Sequence, residues 1–233
     1  FIAPVRLHRY LARMTEPGYS NLFPVMDVLE HVWVEEENKP HKNLSNQGVA
    51  IVQDQTFKGY LNNEEILGIR WSQKETKRTP VFFPDAKSPM GSLIVYKPKM
   101  KIIPHIKDEQ ITFTITLKAN ASLIELFEDI GIGTIQREAA EIIKKEIRHT
   151  YEKGLELDAD LFQLSHSLYK KHPQVWRERS IRGKLPLTKD SIEDIQVKLR
   201  VIKTGKDKFR YIGESKTPIN YWNKRFREIE GVE

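Results

Sequence analysis

Residues 134–176 constrain the fold more than any other stretch, because they hold two amphipathic helix patterns that cannot bury their apolar stripes alone. In the first, Ile135, Ala139, Ile142, Ile143 and Ile147 fall on one stripe of a period of about 3.6 residues, with Tyr151 beyond. The other face carries Glu138, Glu141, Lys144, Lys145, Glu146, Arg148, Glu152 and Lys153. Thr134 suits the N-cap, and Gly154 suits the left-handed position just past the C-terminus. The second pattern repeats the logic with Leu157, Leu161, Leu164 and Leu168; Asp158 or Asp160 can cap it, and Pro173 forbids its continuation. The spacing therefore predicts helices over about 134–153 and 158–172, with Trp176 folding back over the end of the second. Both need another layer to cover.

The flanking sequence supplies strands. Residues 48–52, a turn at 53–55 and residues 56–61 read as a hairpin. Residues 81–83, 92–97, 99–106 and 110–118 follow as strands. The last has the cleanest alternation, with Ile111, Phe113, Ile115 and Leu117 inward and Thr112, Thr114 and Thr116 outward. Residues 120–128 extend it, and 192–202 close the series with Ile195, Val197, Leu199 and Val201. Upstream, residues 5–14 read as a short helix broken at Pro17 and Gly18. A second short helix, beginning near Pro24, carries Leu22, Phe23, Val25, Met26, Val28, Leu29, Val32 and Trp33. Asn62 and Glu65 form a capping-box pattern for a short helix ending near Gly68. Strands grouped before helices, then one closing strand, predict an α+β protein with mainly antiparallel sheets covered by helices.

A chain of 233 residues suggests one or two domains. The polar and proline positions between Pro98 and Gln110 suggest a boundary there. The expected division is 1–46 as lead-in helices or the end of an upstream domain, 47–105, 106–206, and an aromatic, basic tail over 207–233 docked on the body. No apolar run approaches the roughly 18 residues of a membrane span. The absence of cysteine excludes disulfides, thiol catalysis and cysteine metal sites. The sequence opens at Phe1 with neither an initiator methionine nor a signal peptide, as a fragment or a mature chain would.

No phosphate-binding loop, dinucleotide fingerprint or H-E-x-x-H pattern is present. Gly131 and Gly133 read as an ordinary strand-to-helix turn, since no lysine accompanies them. The pairs Glu64–Glu65 and Asp158–Asp160 sit where helix caps belong, and His166 and His172 are badly spaced for one helix face. No catalytic residue, cofactor or metal site is expected. Net charge is +6, from 38 basic and 32 acidic residues, with the excess gathered late in the chain. Lys170, Lys171, Arg177, Arg179 and Arg182 with Trp176 have the composition of a phosphate-contacting, base-stacking patch. The competing and favoured reading packs Trp176 over the second helix and leaves the charges in water.

Two blocks carry a family resemblance. Gly48-Val49-Ala50-Ile51-Val52 through Phe57-Lys58-Gly59-Tyr60-Leu61-Asn62-Asn63-Glu64-Glu65 to Gly68 resembles the "G-x-A-x-F…x-G-x-L-x-x-x-E…G" block of the Ger(x)C family. Asp160-Leu161-Phe162 through Tyr169-Lys170-Lys171-His172-Pro173-Gln174-Val175-Trp176 resembles its "D-I-F…K-x-P-x-x-W" segment. The pattern often has glycines after D-I-F, where this chain has Gln163 and Ser165, and residues 177–191 fit it poorly. The resemblance spans roughly 47–205. It implies the C subunit of a bacterial nutrient germinant receptor, a non-enzymatic lipoprotein at the inner spore membrane with its soluble domain outside the cytoplasm. It further implies an N-terminal lipid anchor outside this sequence and two integral membrane partners, the A and B type subunits, with no cofactor, metal or nucleic acid. Candidate partner-contact groups are Lys144, Lys145, Arg148, Lys170, Lys171, Arg177, Arg179 and Arg182. The alternative is a basic α+β module that binds nucleic acid or protein.

Overall fold

The computed structural model describes residues 6–34, 40–84, 90–108, 110–127, 130–181 and 183–203. The expected docked tail over 207–233 and the candidate Arg182 lie outside them. After helix α1 (Leu7–Met14), strands β1 (Ser20–Val34), β2 (Pro40–Gln53) and β3 (Thr56–Asn62) form an antiparallel sheet in the order β1-β2-β3. The β2–β3 turn places Asp54 and Gln55 at φ of 49° and 62°. Paired positive φ values give the hairpin a twist that matches its strands.

β1 replaces the short helix expected over 22–33. Pro24 pairs with Val49, and the register shifts between Val25 and Met26. That irregularity breaks the alternation by which a strand announces itself in sequence.

β4 (Arg78–Phe83), β5 (Gly91–Lys107), β6 (Gln110–Leu126) and β7 (Ile192–Lys203) form a second sheet in chain order. The first three are antiparallel, and β7 joins β6 in parallel. The two strands expected over 92–97 and 99–106 are one strand, bulged between Tyr96 and Lys99, where Lys97 adopts φ 42°. The β5–β6 hairpin pairs from Gly91 with Leu126 to Lys107 with Gln110. The four-stranded sheet thus runs through the 105/106 line at which a boundary was expected.

Helices α2 (Ile132–Glu156), α3 (Leu164–Lys171) and α4 (Pro173–Arg179) fill the connection from β6 to β7. α2 begins before Thr134, with Gly131 at its N-cap, and runs on through Gly154. Gly154 is a packing position: a Cβ there would lie 2.7 Å from Leu161 Cγ. The helix expected over 158–172 forms only from Leu164, and the chain breaks again at His172. Pro173 then takes the first turn of α4, where its fixed φ and missing N–H do no harm.

One core joins these elements. The α2 stripe (Ile135, Ala139, Ile143, Ile147, Tyr151) shares one buried cluster with Leu93, Val95, Phe113, Ile115 and Leu117 of the four-stranded sheet. Val49, Ile51 and Leu61 of the first sheet belong to the same cluster, as does Trp71.

Candidate functional site

The first signature block docks on α2. Asn62 Oδ1 accepts from the amides of Glu64 (2.9 Å) and Glu65 (3.1 Å), and Glu65 Oε2 accepts from the Asn62 amide at 3.0 Å. This is the expected capping box, but it opens a turn leading into a 3-10 helix, Leu67–Trp71, rather than an α-helix. Gly68 touches the α2 backbone; a Cβ would stand 2.5 Å from Glu146 O. Its amide donates to Thr150 Oγ1 at 3.0 Å, and that hydroxyl donates to Glu65 O at 2.7 Å. Arg70 grips Glu146 with two bonds of 2.6 and 3.2 Å, and Trp71 Nε1 donates to the same carboxylate at 2.7 Å. The sequence places Glu146 on a solvated face, yet its side chain is only 14% exposed. A carboxylate that accepts three N–H bonds is the polar centre of this joint.

The second block stitches the α2–α3 turn to the first sheet. Asp160 is buried, and its Oδ2 accepts from the Ser165 amide at 2.7 Å. Burial pushes its carboxyl up to about 6, against the lowering effect of the backbone N–H groups of residues 162–165. Its own amide donates to Gln53 Oε1 at 3.0 Å, which also accepts from Ser20 Oγ at 2.7 Å. Gln163 sits at φ 64°, a left-handed position that suits the glycine of the family pattern. The glutamine holds it through its side chain: Oε1 accepts from Ser20 N at 2.9 Å and Nε2 donates to Ser20 O at 2.7 Å. Trp176 is buried as expected, its Nε1 donating to Ser165 Oγ at 2.8 Å and its ring meeting Tyr169 edge-on. His166 reaches Glu16 at 3.2 Å and Pro17 O at 3.1 Å, a structural setting.

The candidate contact residues form two groups. Lys144, Lys145 and Arg148 line an open cleft of about 430 Å³ with His149, Glu152, Glu193, Asp194 and Ile195, where α2 passes the start of β7. Lys144 pairs with Glu141 at 2.7 Å, and Arg148 donates to Ile192 O (3.1 Å) and Lys189 O (3.3 Å). On α3 and α4, Lys171 donates to Ile102 O at 2.6 Å and Arg179 to Asp108 O at 3.4 Å. Arg148, Lys171 and Arg179 therefore tie elements together. Lys145, Lys170 and Arg177 are exposed and without a partner among the described residues. A second cleft, of about 320 Å³, lies beside Leu155, Ile181 and Leu187, where Asp158 pairs with Lys184 and Lys58. The Lys184 bond holds the Asp158 carboxyl below its ordinary value. No group of three or more potential metal ligands exists among the described residues, and no helix among them is long and apolar enough to cross a membrane.

A family model described as "Spore germination B3/ GerAC like, C-terminal" matches residues 47–205. The chain belongs to this Ger(x)C family. The match takes in both signature blocks. A crystal structure of the GerBC protein is similar in fold, with a TM-score of 0.67 and 17% identity over 87% of this chain. The chain spans 62% of the length of GerBC. No curated protein matches it.

In this family member the signature residues Gly68, Asp160 and Trp176 are buried joints, while Lys171 and Pro173 are exposed. The sequence reading missed Glu146, Thr150, Ser20, Gln53 and Gln163, which complete these joints. Glu146 lies between Ile143 and Ile147 on the helix, a position at the edge of the apolar stripe that hints at burial. Ser20 and Gln53 face each other across β1 and β2 and carry no such hint.

Proposed function

We propose that this chain is the C-terminal part of the C subunit of a membrane-bound nutrient germinant receptor, needed for spores to germinate in response to nutrients. It acts without catalysis. A lipid anchor N-terminal to this sequence holds it at the inner spore membrane, outside the cytoplasm, where it contacts the integral membrane A and B type subunits. The family match over residues 47–205 carries the reading. The placement of Gly68, Asp160 and Trp176 supports it: these three signature residues hold the body together, which leaves recognition to the surface. Among the described residues Lys145, Lys170 and Arg177 are the members of the contact surface without a partner, so their charge can be reversed without breaking a described bond.

The test is a spore carrying Lys145→Glu, Lys170→Glu and Arg177→Glu in the full-length gene. Nutrient-triggered germination should be impaired at unchanged protein level. Normal germination would remove this surface from the account. Tight, salt-sensitive binding of the chain to DNA or RNA would favour the nucleic-acid module instead.

A further inference from the structure

Among the described residues, the four-stranded sheet has one face that no helix covers. Its register brings like charges abreast. Lys99 pairs with Lys118, and Lys118 pairs with Lys198, so three lysines stand side by side across β5, β6 and β7. The row on one side holds Arg78, Tyr96, Asn120 and Arg200; the row on the other holds Lys101, Thr116 and Gln196. These three rows contain six cations and no carboxylate. All six side chains are exposed, and none forms an ion pair among the described residues. The acids nearest this face sit at its ends: Glu193 accepts from Thr112, Asp194 from Gln196, and Glu125 lies in the row of Phe82.

Like charges directly opposite one another destabilise a sheet. Nothing in the described protein offsets that repulsion, so the arrangement suits an anion brought from outside. We infer that this face binds an anionic lipid surface. None of the six cations lines either cleft described above, so the face is a sheet surface rather than a groove. Flat basic faces recognise charge density, which is what a layer of phosphate headgroups presents. Phe82, 43% exposed, continues the same face, and Ile202, 50% exposed, lies beside it near the end of β7. Apolar side chains at the rim of a basic face are what interfacial binding uses. A single-strand nucleic-acid platform needs rings for bases to stack on. The one ring in these rows, Tyr96, is half-buried and already lies under the Arg78 guanidinium.

The choice of a lipid partner rests on the reading of a membrane-tethered subunit. A single acyl chain anchors weakly, and a basic patch is a common second signal. The test does not depend on that reading. The 233-residue chain is mixed with vesicles of phosphatidylcholine alone or of equal parts phosphatidylcholine and phosphatidylglycerol, and its partitioning is measured by sedimentation. Binding to the anionic vesicles alone is expected. It should be lost as salt rises from about 0.1 to about 1 M, where screening shortens from about 10 Å to about 3 Å.

Each cation near such a surface contributes roughly a factor of 5. Lys99→Gln, Lys118→Gln and Lys198→Gln together should therefore weaken partitioning about 100-fold with a Tm no lower than that of the wild type, since the row's mutual repulsion is relieved. Lys145→Gln, Lys170→Gln and Arg177→Gln, on the proposed subunit-contact surface, should change it less than twofold. Absence of vesicle binding, equal binding to neutral vesicles, or binding that survives high salt overturns the inference. So does loss of binding in the second triple variant but not the first, or tighter binding to a DNA duplex or an acidic peptide than to anionic vesicles. Of these outcomes only tight DNA binding also counts against the receptor reading; the vesicle results leave it untouched, and the germination phenotype tests it separately.

Discussion

The inner face of the four-stranded sheet turns Leu93, Val95, Phe113, Ile115, Leu117 and Leu123 toward the helices, each no more than 5% exposed. The outer face of the same strands turns threonines, lysines and arginines to solvent. Both faces hang on one backbone ladder, so the difference is entirely one of side chains. The family signature belongs to the inner world: Gly68, Asp160 and Trp176 are joints among buried elements, and their loss is felt as instability. The outer face lies outside the signature blocks and carries charge without a partner among the described residues, and its loss is felt in what the protein meets.

Truncation of the interior is the strongest attack on this contrast. Phe113→Ala and Trp176→Ala should each cost about 3–5 kcal/mol in urea denaturation. A loss under about 1 kcal/mol for Trp176→Ala would place that ring at the surface. Next comes the α2 joint. Glu146→Ala removes three N–H acceptances and leaves Arg70 half-buried and unpaired, a loss of about 2–4 kcal/mol. Glu146→Gln keeps an acceptor for Trp71 and should cost less.

The buried Asp160 sharpens the contrast by pH. Its carboxyl titrates near 6 in the fold and near 3.8 in the unfolded chain. Between those values the folded state holds a proton that the unfolded state has released. Stability due to this group is therefore full below about 4, falls as pH rises, and levels off above about 6, a span of roughly 2–3 kcal/mol. Unfolding free energies measured across pH 4 to 7 should show this slope in the wild type and lack it in Asp160→Asn. A slope that survives in the variant would assign it to another group. The smallest effect belongs to the outer face. Lys118→Thr relieves two like-charge neighbours and should stabilise by about 0.2–1 kcal/mol at low salt, less at high salt.

What the sequence reveals follows from how local the cause is. The β2–β3 turn and the Asn62–Glu65 box are settled within a few residues, and both are found where expected. β6 is legible because one of its faces is fully covered. β1 is not: its apolar residues satisfy helical spacing as well as strand pairing, and β2 decides between them. The 158–172 helix fails for a similar reason. Its leucines have the right period, but Asp160 gathers the amides of the following turn and Gln163 turns left-handed, fixed by Ser20 far away in sequence. Of the contact candidates, sequence identifies which residues are basic. It does not show that Arg148, Lys171 and Arg179 are engaged with backbone carbonyls from distant strands and turns. The lysine row is equally hidden, since three residues become neighbours only through two registers, one antiparallel and one parallel.

The parallel attachment of β7 also governs how the molecule is made. Lys118 waits for Lys198, roughly 80 residues later, while β4, β5 and β6 can zip as they emerge from the ribosome. Such distant pairing is slow, because the loop must close before the contact is formed. During that interval β6 is a bare edge, and its apolar side stays uncovered until α2 arrives. The nascent chain therefore passes through a stage in which its most hydrophobic surface and an unpaired strand edge are exposed together. A ribosome stalled before residues 132–156 emerge would hold it there, primed for aggregation.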